Sequence, residues 1–148
     1  MKKYLVLISL FFISFINAYD RISIGSYAHY NSKPEHDNKP FIFTYDTFNN
    51  EKNFYGIALF NNSFGQFSQF LYKGHVIQSK SNNLHYELTY GIIHGYKDEY
   101  QDRIPINTSD GIGLGLIPSI YYSLNKKSSI SLSIMGSAGL IVNYSFKF

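Results

Sequence analysis

Three side chains stand out as able to do chemistry: His29, Asn62 and Ser63. An imidazole changes charge near neutral pH and can take or pass a proton. A seryl hydroxyl becomes a nucleophile when a base stands beside it. By residue type alone, a single histidine at a rim is an ordinary solvated group, and Asn-Ser shortly before Gly65 is a turn signal. Their chemistry depends on a fold that brings them together. His75, His85 and His94 fall on different segments without ligand-like spacing, so no metal site is expected. The chain has no cysteine, which excludes disulfides and thiolate chemistry.

The elements that must position these groups are strands. Counting back from the last residue, Phe148, Phe146, Tyr144, Val142 and Leu140 alternate with Lys147, Ser145, Asn143 and Ile141. A period of two describes a β-strand with one aromatic, apolar face and one mostly polar face. At the other end, Lys2 and Lys3 precede an apolar run from Tyr4 to Ile16 and then Asn17-Ala18. That order fits a signal peptide over residues 1–18, leaving one domain over 19–148. No segment approaches the roughly 20 apolar residues of a transmembrane helix. Fourteen Tyr and thirteen Phe on alternating segments fit the aromatic girdles of a membrane barrel. The expectation is an all-β, eight-stranded antiparallel transmembrane β-barrel in a bacterial outer membrane.

The formal charge of +3 includes the two leader lysines, without which 11 basic residues face 10 acidic ones. No basic stripe suggests nucleic acid. Nor does a repeat or linker divide the chain.

Turn-forming clusters separate eight segments, read as 22–30, 39–48, 53–61, 66–78, 84–95, 111–124, 129–135 and 139–148. Two alternations are especially clear: Tyr86, Leu88, Tyr90 and Ile92 against His85, Glu87 and Thr89, and Ile130, Leu132 and Ile134 against Ser129, Ser131 and Ser133. The apolar set of each belongs on the outside. With an even strand number both termini share the periplasmic side, and the longer connections 31–38 and 96–110 fall outside with Asn62 and Ser63. That topology gathers His29, Asn62, Ser63 and the two long loops at the outer rim. Asp98, Glu99, Asp102 and Asp110 there read as a solvated face or as a weak site for a divalent ion bridging lipopolysaccharide, and Lys33, Lys39, Lys97 and Arg103 as partners for lipid phosphates or as ordinary mixed charge.

Side chains nearly fill a barrel of eight strands, so a wide pore is not expected. The third and fourth segments carry apolar groups on both faces, interleaved with Gly56, Ala58 and Gly74. Two readings follow: a packed apolar plug, or a slot for a hydrocarbon chain.

The run Phe54-Tyr55-Gly56-Ile57-Ala58-Leu59-Phe60-Asn61-Asn62-Ser63 resembles a strand and loop of the outer-membrane lipid A palmitoyltransferases, the PagP-like family. Gly74 lies eleven residues beyond Ser63, at the separation of that family's pocket-floor glycine. Thr89-Tyr90-Gly91-Ile92, Ile104-Pro105, Leu116-Ile117-Pro118 with Ser119-Ile120-Tyr121, and the aromatic end at Tyr144, Phe146 and Phe148 continue the likeness, which covers roughly residues 54–148.

The resemblance implies acyl transfer, with a palmitoyl chain moved from a phospholipid donor to a lipid A acceptor. It assigns His29 as general base or proton relay, with His36 as the competing histidine. Ser63 becomes nucleophile or hydrogen-bond donor, Gly74 the floor of the acyl pocket, and Pro105 and Pro118 the breaks that admit lipid. Asn62 stands where the family has aspartate. An amide can hold an imidazole by hydrogen bonding but cannot stabilise an imidazolium by charge. No cofactor is implied, and a closed barrel, having no free edge, is expected as a monomer. A lipid hydrolase is one rival reading. A non-catalytic barrel, structural, adhesive or a narrow transporter, is the other.

Overall fold

The computed structural model describes residues 18–31, 36, 40–78, 83–104, 106–109 and 111–148. The leader residues 1–17 and Pro105, to which the sequence assigns roles, lie outside them.

Nine strands form in chain order: β1 (Tyr19–His29), β2 (Ile42–Phe48), β3 (Asn53–Asn61), β4 (Phe67–Gln78), β5 (Leu84–His94), the short β6 (Asn107–Ser109), β7 (Ile112–Ser123), β8 (Ser128–Ile134) and β9 (Gly139–Lys147). A 3₁₀ turn, Asp98–Arg103, precedes β6. Eight of the strands close a ring: each long strand pairs antiparallel with the next, β5 pairs with β7, and β9 returns to β1. The protein is an eight-stranded antiparallel β-barrel, with β6 an appendage on the outer end of β7.

The bounds depart from the sequence reading where partners intervene. β1 starts at Tyr19 rather than 22, because Asp20 exchanges two backbone hydrogen bonds with Phe148 (3.1 and 3.0 Å). β2 starts at Ile42 rather than 39, just beyond Pro40, which has no N–H to give a ladder.

Alternation sorts the side chains. Ile22, Ile24, Tyr86, Tyr90, Ile130, Leu132, Ile134, Val142, Tyr144 and Phe146 are exposed on the outer wall, while Ser23, Ser119, Ser129, Ser131, Ser133, Asn143 and Ser145 are buried in the lumen. That is the reverse of a water-soluble barrel, whose greasy face turns inward. No helix among the described residues is long and apolar enough to cross a membrane, which says nothing of strands.

The lumen has two layers, where the sequence suggested one apolar filling. Toward the outer rim, Tyr27, Ile42, Ala58 and Phe70 form a cluster with Phe60, Ile93, Ile117 and Ile141 packed on it. Nearer the chain termini lies an ionic layer. Arg21, 1% exposed, makes a bidentate pair with Glu87 (2.7 and 2.8 Å) and donates to Asp46 at 2.9 Å. Its guanidinium lies 4.6–5.2 Å from the ring centroids of Phe48, Phe54 and Tyr121. Tyr72 joins the layers, packing with the apolar cluster while its hydroxyl donates to Asp46 at 2.6 Å. A buried guanidinium needs its charge paired, and here two carboxylates accept three of its N–H groups.

Candidate active site

His29 ends β1 with the inward parity of Tyr27, whose ring it meets edge-on at 5.4 Å. Ser63 sits in the turn between β3 and β4, 8% exposed. The barrel brings the two side chains together, with His29 Nε2 2.9 Å from Ser63 Oγ. The other ring nitrogen, Nδ1, lies 3.1 Å from the backbone carbonyl of Ala138 in the β8–β9 turn. A carbonyl only accepts, so Nδ1 must carry the proton, which leaves Nε2 of the neutral ring as an acceptor for the Ser63 hydroxyl. This is the tautomer in which an imidazole withdraws a proton from serine. The same carbonyl also accepts the Tyr30 N–H at 3.1 Å, so the orienting group is fixed by the sheet.

Asn62 does not play the part proposed for it from sequence, because its amide is spent inside the turn. It is 1% exposed, and its Oδ1 accepts the N–H groups of Phe64 and Gln66, each at 3.0 Å. Nδ2 donates to Ser68 Oγ at 3.1 Å and to Gln66 Oε1 at 3.3 Å. Both ends of the amide are thereby occupied, and the turn so tied presents Ser63. Asn62 thus ties the turn, and the partner of the second His29 nitrogen is a backbone carbonyl from another hairpin.

Gly74 is not beneath open space. A Cβ there would overlap the Phe54 ring, which is fully buried, stacked on Phe48 at 4.6 Å, and opposite Gly74 in the β3–β4 register. Glycine at this place admits an aromatic ring to the ionic layer. The floor of the apolar layer is Tyr72, two residues nearer the rim on the same lumen face of β4.

Two loops cover the serine. Gly95, with φ of +127°, turns the chain sharply after β5 in a conformation that a side chain would strain. Tyr96 follows, and burial raises its phenol above the ordinary tyrosine value. Gln66 fastens the two loops by accepting the Lys97 N–H at 2.9 Å and donating to the Lys97 carbonyl at 3.4 Å. Phe64 stacks on Tyr100 at 3.8 Å, and the His36 ring lies 4.4 Å from that of His29. His36 is thus a neighbour of His29, and it is His29 that contacts Ser63.

The wall beside the site is interrupted at two seams. β1 pairs with β2 only from Tyr19 to Gly25, and above that Ser26 Oγ donates to the Pro40 carbonyl at 3.1 Å. β7 pairs with β8 only from Ser119 to Ser123, so the ladder stops at Pro118. An apolar groove of about 280 Å³ opens on the outer wall there, bordered by Tyr86, Leu88, Pro118, Ile120, Leu132 and Ile134. Proline supplies no N–H with which to continue the pairing.

Tyr96, Pro40 and the Ala138 carbonyl were not singled out in the sequence. The first two carried a faint signal, in a tyrosine after a glycine at a strand end and a proline before a strand. The third is backbone and carried none. A scan against protein-family models returns no match, and neither does a search of the curated proteins, so what the site does rests on its own geometry.

Proposed function

We propose that this barrel resides in the bacterial outer membrane and is an acyltransferase that moves a fatty acyl chain from a phospholipid to lipid A. The observation that carries the reading is the Ser63–His29 contact in the tautomer set by Ala138. In this mechanism Ser63 Oγ attacks the donor ester carbonyl while His29 Nε2 takes the seryl proton. The Oγ–acyl bond forms, the ester C–O bond breaks, and the lysophospholipid leaves with the proton returned by His29. A lipid A hydroxyl then attacks the seryl ester, His29 again takes and returns the proton, and Ser63 is regenerated.

Three further features support the reading. The exposed apolar wall suits lipid. The apolar layer beneath His29 gives an acyl chain a hydrocarbon environment. The seams at Pro40 and Pro118 lie where lipid would pass through the wall.

The test is lipid mass spectrometry on cells lacking their own palmitoyltransferase and expressing this chain or its Ser63→Ala variant at matched outer-membrane levels. Acylated lipid A with equimolar lysophospholipid, lost in the variant, is the expected result. Free fatty acid in place of acylated lipid A would mean that water is the acceptor and the protein a hydrolase. Unchanged lipids would leave a barrel without this chemistry.

A further inference from the structure

At the end of the barrel opposite His29, the lumen opens into a polar pocket of about 350 Å³ formed by the β7–β8 turn and the last residues of β9. Lys126, Lys127 and Lys147 line it together with Asn83, Ser123 and Ser129. None of the three lysines has a carboxylate within ion-pair distance among the described residues, where the paired cations are Arg21 and, if protonated, His85. Lys127 and Lys147 are nevertheless held in place. The turn is fixed by Asn125 Oδ1, which accepts the N–H groups of Lys127 and Ser128 at 2.8 and 2.9 Å. The Lys147 ammonium lies 4.8 Å from the Tyr19 ring centroid and that of Lys127 lies 5.8 Å from the Phe146 ring centroid.

A second, independent feature points to a ligand. Ser129 is 3% exposed and lines this pocket, yet its hydroxyl has no hydrogen-bond partner. Buried hydroxyls are ordinarily satisfied, and this one lines the same pocket as the three lysines without a partner.

We propose that this inner mouth binds a phosphate group, through the ammonium groups of Lys126, Lys127 and Lys147 and the hydroxyl of Ser129. A tetrahedral dianion matches the set: several acceptor oxygens for several donors, and charge opposite to that of the three lysines. The same chemistry is presented by free inorganic phosphate and by the headgroup of phosphatidic acid, and the pocket opens where both are accessible. The site is remote from Ser63 and does not depend on the acyl-transfer reading.

The experiment titrates the refolded barrel in detergent with sodium phosphate by calorimetry at fixed ionic strength. Native mass spectrometry in parallel scores retention of phosphatidic acid against phosphatidylcholine. Saturable phosphate binding, or selective retention of phosphatidic acid, weakened at least tenfold in the Lys127→Gln/Lys147→Gln double variant and reduced in Ser129→Ala, is the expected result. Phosphate that displaces the bound lipid would mean both sources share the pocket, whereas retention that phosphate does not reverse would mark the headgroup as the ligand. Lys126→Gln, on an exposed turn, keeps the test interpretable should Lys147→Gln impair folding, since it is expected to weaken binding in a folded barrel. Equal binding in wild type and folded variants, or no saturation by either probe, would overturn the proposal.

Discussion

His29 and Ser63 lie 34 residues apart in the chain, yet the imidazole Nε2 and the hydroxyl Oγ come within 2.9 Å of each other. The contact joins the end of β1 to the β3–β4 turn, and a third hairpin supplies the carbonyl that selects the tautomer. Three separate connections must be correct at once for this geometry, which makes it sensitive to single changes.

If the two groups work as one unit, their losses will not add. Ser63→Ala and His29→Gln are each expected to lower acyl transfer on the order of 10³-fold or more, and the double variant to be no worse than the poorer single. Initial rates on mixed micelles of phospholipid and lipid A would check this. Multiplying losses would show that the residues act independently.

Asn62→Asp is expected to retain activity without raising it. The carboxylate keeps the two turn acceptor bonds to Phe64 and Gln66 but does not face His29, so it adds no charge to the imidazole. Asn62→Ala removes those bonds, leaves buried N–H groups without partners, and is expected to cost about 1–3 kcal/mol. Urea unfolding in lipid vesicles reads the second effect. A large rate gain in Asn62→Asp would mean that the side chain reorients toward His29.

At Gly74 the question is whether the lumen there is slot or packing. A methyl group at this position meets the Phe54 ring, so Gly74→Ala is expected to destabilise by about 1–3 kcal/mol. The length of the transferred chain is expected to stay the same, because the ring already closes the lumen at that level. Product chain lengths by mass spectrometry decide it: shortening by a fixed number of carbons would restore Gly74 as the floor.

Much of this architecture was legible in the chain. The serines of β8 and the alternation of β9 fix which residues face outward, because a one-residue slip would turn Ile130, Leu132 and Ile134 into the lumen. Eight segments were found within a few residues of their observed ends. The ionic layer was missed because Arg21, Asp46 and Glu87 each look like an isolated charge until closure of the ring brings three strands around one guanidinium. The pairing of His29 with Ser63 was suggested by topology and resemblance together, whereas the Ala138 carbonyl has no side chain to announce it. Gly74 carries no signal that separates slot from packing, because glycine clears space equally for a ligand and for a neighbouring ring, and the structure puts the Phe54 ring there.

Tyr96 links the site to pH. Burial raises its phenol, so the neutral form is favoured more in the folded barrel than in the unfolded chain. Its contribution to stability is therefore complete below the ordinary tyrosine value of about 10 and declines as the pH climbs through the raised folded value. Tyr96→Phe has no phenol to ionise, and its stability is expected to fall less steeply than that of wild type above pH ~10. Parallel slopes in alkaline urea titrations would remove Tyr96 as the titrating group.

The ionic layer bears on whether the barrel can be a channel. Arg21 fills the lumen section between Phe48, Phe54 and Tyr121 with both carboxylates attached, so the wild-type barrel is expected to give no stepwise ion conductance in planar bilayers. Arg21→Ala leaves Asp46 and Glu87 buried without their cation, which is expected to cost about 3–5 kcal/mol. Water must then follow the uncompensated charge inward, and cation-selective conductance should appear in the variant that is absent from wild type. Glu87→Gln keeps the volume and part of the hydrogen bonding, so it is expected to lose stability without opening the lumen. Conductance in the wild-type protein, at a level unchanged by Arg21→Ala, would show a path that bypasses this layer and would favour a narrow transporter over an acyltransferase.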